Sequence, residues 1–181
     1  MAGYAKQDRP FANRWRLLGW GGAAWLLATP LIAMRFTSEV VWTPSDFAAA
    51  GVMIGGVGLA FEAVVRVSSN PAYRGAAALA LLATFATIWT NLAVGMIGDE
   101  HNTTNLIFGG VLAIGLAGTI VARLKASATA RAMAVTAAAQ ALTTIVALGA
   151  GETLAAAFIC AFAIPWLASA WLFRKAGWQG A

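Results

Sequence analysis

Six long apolar stretches, separated by short polar segments, dominate the pattern of this chain. They are residues 17–34, 47–65, 75–98, 105–122, 132–151 and 153–173. Each has about the 20 residues that a helix needs to cross a hydrocarbon core roughly 30 Å thick. None shows the strict alternation of apolar and polar residues that is typical of a membrane β-barrel. The pattern therefore predicts an all-α, polytopic membrane protein built as a bundle of six transmembrane helices.

The composition agrees with a membrane location. Of the 181 residues, 60% are hydrophobic and only 10% are charged, whereas a soluble domain has about 25% charged residues. The net charge is +5, but the basic residues are spread between the apolar stretches and form no continuous patch of the kind that binds nucleic acid. We therefore expect the lipid bilayer as a partner and expect no nucleic acid.

The basic residues also predict an orientation. If every apolar stretch crosses the membrane, 11 of the 12 Lys and Arg residues fall on one side and only Arg35 on the other. The positive-inside rule then places both termini in the cytoplasm, with residues 1–16 and 175–181 as tails. The stretch 17–34 is long for the apolar region of a signal peptide. We therefore expect an uncleaved first span.

Glycines lie at helical spacing within two of the spans. Gly51, Gly55 and Gly58 share one face of the second span, and Gly115 and Gly118 are similarly placed in the fourth. Small residues let helices approach closely in a membrane. The spacing predicts helix packing, within one copy or between copies. A glycine face that lines a ligand channel is the alternative.

Glu62 is the one ionisable residue well inside a span. Carboxylates within a membrane are costly and are candidates for function. Arg66 follows four residues later, which is the favourable order for an ion pair on a helix. The spacing favours an intramembrane ion pair over a role in proton or ion transport.

A few other residues inside the spans bear on packing or on a polar path. Asn91 in the third span and Gln140 in the fifth accompany threonines, and these side chains form either interhelical hydrogen bonds or a narrow polar path. Trp166 lies deep in the sixth span, where we expect it to pack between helices. Pro30 and Pro165 remove helical hydrogen bonds and are expected to kink their helices.

The most concentrated polar segment lies between the third and fourth spans and contains Asp99, Glu100, His101 and Asn102. Such side chains can ligate a metal or attract a cation. A zinc site needs three or four converging ligands, however, so we assign no metal. The alternative is a solvated turn whose Asn and Thr side chains cap the next helix. If the protein binds a polar ligand, we expect it near Asn91 and this segment.

Three runs of sequence carry a resemblance. They are Trp42 to Phe47, Gly55 to Ala60, and Trp89 to Glu100. Together they resemble a pattern in small uncharacterised inner-membrane proteins of proteobacteria. The resemblance implies a multi-pass protein of the bacterial inner membrane, and it implies no catalytic residue or cofactor.

Three functions remain open from the sequence. Since it has no phosphate-binding loop, no HExxH or CxxC motif and no nucleophile beside a base, we expect a non-enzyme without a cofactor. The favoured hypothesis is a non-catalytic component that packs with itself or with a larger membrane complex. A small channel or transporter for a cation or polar solute is the second. A membrane enzyme or metal-binding protein that uses Asp99, Glu100 and His101 is the third.

Overall fold

The computed structural model describes residues 10–178, with side chains from Arg16 onward, and this part of the chain is helical without strands. Its seven α-helices are α1 (Pro10–Ala33), α2 (Pro44–Val67), α3 (Pro71–Ala93), α4 (Leu106–Val121), α5 (Ala126–Gly149), α6 (Thr153–Ala161) and α7 (Ala163–Trp178). A single 3-10 turn, Thr103–Asn105, leads into α4. The all-α prediction is confirmed. Most of the predicted N-terminal tail and the last three residues of the C-terminal tail lie outside the described residues.

By length and composition, five helical segments in the described part of the chain can cross a membrane. They are Pro44–Val67, Pro71–Ala93, Thr103–Val121, Ala126–Gly149 and Thr153–Trp178. This supports a multi-pass helical membrane protein. Helix α1 is not among the five. The predicted first span, residues 17–34, therefore stays a prediction.

The chain divides into two compact units, one ending at Leu59 and one starting at Ala60. In the first unit, α2 begins with reciprocal capping bonds. The backbone N–H of Thr43 donates to Asp46 Oδ2 at 2.7 Å, and the N–H of Asp46 donates to Thr43 Oγ1 at 3.4 Å. Helix α1 approaches α2 at Gly58, where a Cβ would lie 3.0 Å from the ring of Trp20. Gly58 thus permits a close contact between these helices.

In the second unit, α5 packs against α4, α6 and α7, and α3 packs against α7. Helices α3 and α7 are antiparallel. The rings of Tyr73 and Phe173 are 5.0 Å apart, and Ser169 Oγ donates to the carbonyl of Ala76 at 2.8 Å. One apolar core lies along these helices and contains Tyr73, Ala76, Ala77, Ala83, Ala130, Ala132, Met133, Ala137, Trp166, Ala170, Phe173 and Ala176.

A second apolar core lies toward the other end of this unit. It contains Met96, Ile97, Phe108, Ala147, Ala156 and Ile159. Beside it, the helical path is interrupted at Phe162, between α6 and α7. Pro165 has no N–H to donate to the carbonyl of Ala161, and its ring crowds that carbonyl. This accounts for the interruption where the sequence predicts a kink. Pro30, in contrast, lies inside α1, which continues to Ala33.

Several helix boundaries differ from the apolar stretches, notably at the end of α3 and the start of α5. Helix α3 ends at Ala93, although the stretch continues to Gly98, because Gly95 and Gly98 adopt positive φ angles of 74° and 70°. A Cβ at Gly95 would lie 2.3 Å from the carbonyl oxygen of Asp99, so glycine is required there. Helix α5 begins at Ala126 and therefore includes Arg131, which the sequence pattern assigns to a loop.

Candidate functional site

A large apolar cavity lies within the second unit, between the last residues of α2 and helices α3, α4, α5 and α7. Its volume is about 720 Å³, which falls in the roughly 300–1,000 Å³ range of small-molecule sites. The cavity exists because α3 and α4 scarcely touch each other, while each packs firmly on another helix.

The cavity is elongated. Its α3 wall extends from Tyr73 to Ile88 and its α4 side from Gly109 to Leu124. The α3 wall covers sixteen residues, or about 22 Å at the helical rise of 1.5 Å per residue, whereas α4 itself lines the cavity only from Gly109 to Thr119 and ends at Val121. The two walls are joined at one end, where the Tyr73 hydroxyl donates to the carbonyl of Leu124 at 2.9 Å. This length is more than half of a hydrocarbon core about 30 Å thick.

Small side chains create the space. The cavity is lined on both helices by residues with little or no side chain, which leave the space between the helices unfilled. They are Ala77 and Ala80 on α3 and Gly109 and Ala113 on α4. Ala113 is exposed and Leu116 is 65% exposed, although both line the cavity. The cavity is therefore open along α4, on a helix whose length and composition suit a membrane span.

The threonine hydroxyl groups around the cavity are already bonded to nearby backbone carbonyls. Thr84, Thr119 and Thr129 each donate to the backbone carbonyl four residues earlier, at 2.8–3.0 Å. No charged side chain occurs among the described residues that line the cavity. The walls therefore suit a neutral, apolar occupant, since a charge placed there would lose its hydration without gaining a partner.

Trp166 is the exception among the polar groups of the cavity. It lines the cavity, is only 2% exposed, and its indole Nε1 is buried without a hydrogen-bond acceptor in the described structure. The sequence identified Trp166 only as a packing residue. The sequence shows that Trp166 lies deep in an apolar stretch. Only the three-dimensional structure shows that its indole N–H lacks an acceptor.

The polar segment between α3 and α4 is bonded mainly to itself. Asp99 Oδ1 accepts from the backbone N–H of His101 at 2.9 Å, and Asn102 Oδ1 accepts from that of Thr104 at 3.0 Å. Glu100 Oε1 lies 3.5 Å from His101 Nδ1. Within the described residues, no group of three or more His, Cys, Asp or Glu side chains is placed to hold a metal ion.

Asn105 organises this segment, and sequence reasoning did not single it out. Its Oδ1 accepts from the N–H groups of Met96 and Ile97, at 3.2 and 2.9 Å. Its Nδ2 donates to the carbonyls of Ile97 and Asp99, at 3.2 and 2.8 Å. Met96 and Ile97 are thereby held in the second core. A carboxylate oxygen of Glu152 also accepts from the N–H of Gly98 at 3.1 Å.

The two predicted ligand-binding amides inside the spans both bond to helix backbone. Asn91 Nδ2 donates to the carbonyl of Thr87 at 2.7 Å, and Gln140 Nε2 donates to that of Ile159 at 3.4 Å. Gln140 is fully buried. The side-chain oxygens of both residues are buried without a donor in the described structure. Neither residue lines the apolar cavity.

The predicted ion pair and the glycine positions can also be located. Arg66 Nη2 lies 3.4 Å from Glu62 Oε2, with the Arg66 side chain largely exposed. On α4, a Cβ at Gly118 would lie 2.7 Å from Ala132 Cβ, so this glycine allows α4 to approach α5 closely. By contrast, a Cβ built at Gly51 or Gly55 meets no heavy atom within 4 Å among the described residues beyond its own helix backbone.

Comparisons with protein family models, with curated proteins and with solved structures give no match. The assignment of a function to this chain therefore depends on the cavity and on the chemistry of the residues around it.

Proposed function

We propose that this is a non-catalytic multi-pass membrane protein that holds an apolar molecule from the bilayer in the cavity between α3 and α4. The cavity itself carries the proposal. It is large enough for a small molecule, elongated along two spans, and lined almost wholly by apolar side chains. Pockets of this kind, with few polar groups, are typical of ligand sites.

The orientation and location belong to the same proposal. Six spans with both termini in the cytoplasm follow from the basic residues, and the resemblance to small proteobacterial proteins supports the bacterial inner membrane. The cavity end near Tyr73 and Leu124 then faces the cytoplasm. A reporter enzyme fused after Ala181 tests this orientation, because a reporter that is active only in the periplasm must stay silent there.

A bilayer molecule explains how such a cavity persists. In water, an open apolar surface of this size would favour aggregation or binding. In a membrane, the lipid chains that meet Ala113 and Leu116 are as apolar as the cavity walls. Entry of an apolar molecule from the side then requires no desolvation of a charged group.

The experiment compares the molecules retained by the wild-type protein with those retained by a variant whose cavity is filled by a larger side chain. The full chain is purified from its native membrane into lipid nanodiscs, and native mass spectrometry records any retained apolar molecule. We expect the wild-type protein to retain one and Ala113→Phe to lose it, because the phenyl ring occupies the open side of the cavity. Ala138→Phe is the matched control, since Ala138 is an exposed position on α5 outside the cavity.

Three results would overturn the proposal. One is that the wild-type protein retains no apolar molecule. The other is that Ala113→Phe and Ala138→Phe retain the same molecule as the wild type. A cross-link from position 113 to the helix of another protein would also contradict it, because a partner would then fill the cavity.

A second candidate is that the protein packs with a copy of itself. The open positions Gly51 and Gly55 on α2 favour it, because small residues in membrane helices admit close helix contacts. The same mass spectra decide this point, since they give the number of chains in each particle. Only monomers, across the concentration range used, would exclude this candidate.

A further inference from the structure

The end of the cavity near Tyr73 reaches the surface between basic residues. Val67 and Leu124 both line this end of the cavity, and they are 55% and 45% exposed. Leu124 is preceded by Arg123 and followed by Lys125, and both of these residues are exposed. The apolar space between the helices therefore meets positive charge where it reaches the surface.

A third basic residue is fixed at the same end. The guanidinium group of Arg74 donates to the carbonyls of Ser68 and Val65, at 2.7 and 2.9 Å. These carbonyls lie at the C-terminal end of α2, next in sequence to Val67 and Val64, which line the cavity. A positively charged group is thereby held beside the cavity wall.

The described carboxylates do not neutralise these three charges. Glu62, the carboxylate nearest in sequence to the α2 residues of the cavity wall, pairs with Arg66 at 3.4 Å. In the described part of the chain, Arg74, Arg123 and Lys125 form no salt bridge. Their charge can therefore attract an anion from outside the chain.

The turn that carries two of these charges is strained. Arg123 and Leu124 adopt positive φ angles of 49° and 60°, a conformation that glycine tolerates and other residues rarely adopt. The Tyr73 hydroxyl holds this turn by donating to the carbonyl of Leu124 at 2.9 Å. Backbone strain of this kind is concentrated at functional sites. The turn keeps an apolar and a cationic side chain adjacent at positions where glycine would be unstrained.

From this arrangement we infer that the cavity holds one acyl chain of an anionic phospholipid, whose headgroup lies outside the cavity beside Arg74, Arg123 and Lys125. The inference rests on the proposed function and orientation, and it adds the class of ligand. The apolar part in the cavity is then the chain of an amphiphile, and the charged headgroup stays hydrated at the membrane surface. Basic pockets at the cytoplasmic ends of membrane helices are typical sites for anionic headgroups.

The dimensions of the cavity suit one acyl chain. Its α3 wall is about 22 Å long, whereas the chains of one leaflet span about 15 Å, half of a hydrocarbon core roughly 30 Å thick. The opening at Ala113 and Leu116 lets a chain move in from the bilayer while its headgroup stays at the surface. A zwitterionic headgroup fits less well, because the basic residues would repel its cationic part.

The test compares two lipids that share their acyl chains and differ in headgroup charge. The full chain is reconstituted in nanodiscs made of equal parts of dioleoylphosphatidylglycerol and dioleoylphosphatidylcholine. Native mass spectrometry then gives the ratio of anionic to zwitterionic lipid that stays bound to the protein. We expect the wild-type protein to retain the anionic lipid in excess.

We expect the double variant Arg123→Gln with Lys125→Gln to lower this ratio about tenfold, since each basic residue near the surface attracts anionic lipid. The total lipid retained should change less than about twofold, because the apolar walls of the cavity are unchanged. Arg123→Lys keeps the charge and should therefore keep the ratio of the wild-type protein.

The double variant Arg174→Gln with Lys175→Gln is the matched control. It removes two charges near Phe173, which meets Tyr73 at the same end of the helices. The side chains of Arg174 and Lys175 lie over the rings of two exposed tryptophans outside the cavity, at 5.6 and 5.5 Å from the ring centroids. The ratio should stay within about twofold of the wild-type value. The reporter fused after Ala181 checks that both double variants keep the wild-type orientation.

The possible failures are distinct. Equal retention of both lipids by the wild-type protein, or an equal loss of selectivity in the two double variants, would overturn the inference and leave the apolar cavity site intact. A wild-type amount of anionic lipid on Ala113→Phe would overturn both proposals, because the lipid would then bind by its headgroup alone. If the wild-type protein retains neither lipid and no other apolar molecule, the proposed function fails as well.

Discussion

The loop of residues 94–105 and the apolar cavity differ in how well their sequences indicate a binding site. The loop is rich in side chains that could bind a ligand, but Asn105, Asp99 and Asn102 use their polar atoms on nearby backbone groups. The cavity is lined by residues that attract little attention in a sequence. It nevertheless leaves about 720 Å³ of space and one buried donor without an acceptor.

The comparison shows that a candidate site is marked by empty space and by polar groups without a partner, and not by the number of polar residues. A polar side chain that already bonds the backbone contributes to the fold, and its removal should affect stability. Small side chains on two helices that diverge contribute space, and their enlargement should affect binding. Variants in the two regions should therefore differ in what they change.

The largest effect on stability is expected at Asn105. Its replacement by Ala removes four hydrogen bonds and leaves the N–H groups of Met96 and Ile97 without their acceptor. At a net 0.5–1.5 kcal/mol for each bond, we expect a loss of about 2–6 kcal/mol in the free energy of unfolding. Reversible unfolding in mixed micelles measures this loss.

Asn102→Ala is the control for that experiment, because it removes the single side-chain bond to Thr104 N. It should lose about 1 kcal/mol. Equal losses in Asn102→Ala and Asn105→Ala would show that Asn105 does not organise the loop.

A smaller effect is expected where α4 meets α5. A Cβ at Gly118 would lie 2.7 Å from Ala132 Cβ. One at Gly109, in the cavity wall of the same helix, meets no heavy atom within 4 Å among the described residues beyond its own helix backbone. Gly118→Ala should therefore be less stable than Gly109→Ala by about 1–3 kcal/mol, the usual cost of overpacking. Comparing the two variants cancels the gain in helix propensity that both share.

The double variant Gly118→Ala with Ala132→Gly tests the cause of that difference. If the clash is responsible, the second substitution should restore much of the stability lost in the first. If Gly118→Ala and Gly109→Ala are instead equally stable, α4 can accept an added methyl group on the side that faces α5 as easily as on the side that faces the cavity.

The sequence predicted the helices well because a membrane span needs a long, uncharged apolar stretch. The predicted stretch 47–65 became Pro44–Val67, and 153–173 became two helices that meet at Phe162. The sequence pattern placed the end of α3 too late, because glycine is common in membrane helices and does not interrupt an apolar stretch. In the structure, Gly95 and Gly98 have positive φ angles and lie in a turn. The sequence pattern placed the start of α5 too late because Arg131 was read as a loop residue.

The candidate site was harder to predict. The polar residues of the loop stand out by type, but whether they are free depends on backbone groups such as the N–H of Met96 and Ile97. The cavity depends on the distance between α3 and α4, which are separated along the chain by the loop of residues 94–105. Of the predicted glycines, Gly115 lines it, but no local pattern reveals a gap between helices.

The smallest effect is expected from the exposed side chains of the loop, Glu100 and His101. They lie 3.5 Å apart at the surface, where an ion pair contributes about 0–1 kcal/mol. Glu100→Ala and His101→Ala should each change the free energy of unfolding by less than about 0.5 kcal/mol. The same variants should leave the retention of an apolar molecule unchanged, because neither residue lines the cavity. Adding zinc or treating the protein with a chelator should shift the wild-type unfolding midpoint no more than it shifts that of His101→Ala. A zinc-dependent rise in the midpoint that disappears in His101→Ala would return this loop to consideration as a ligand site.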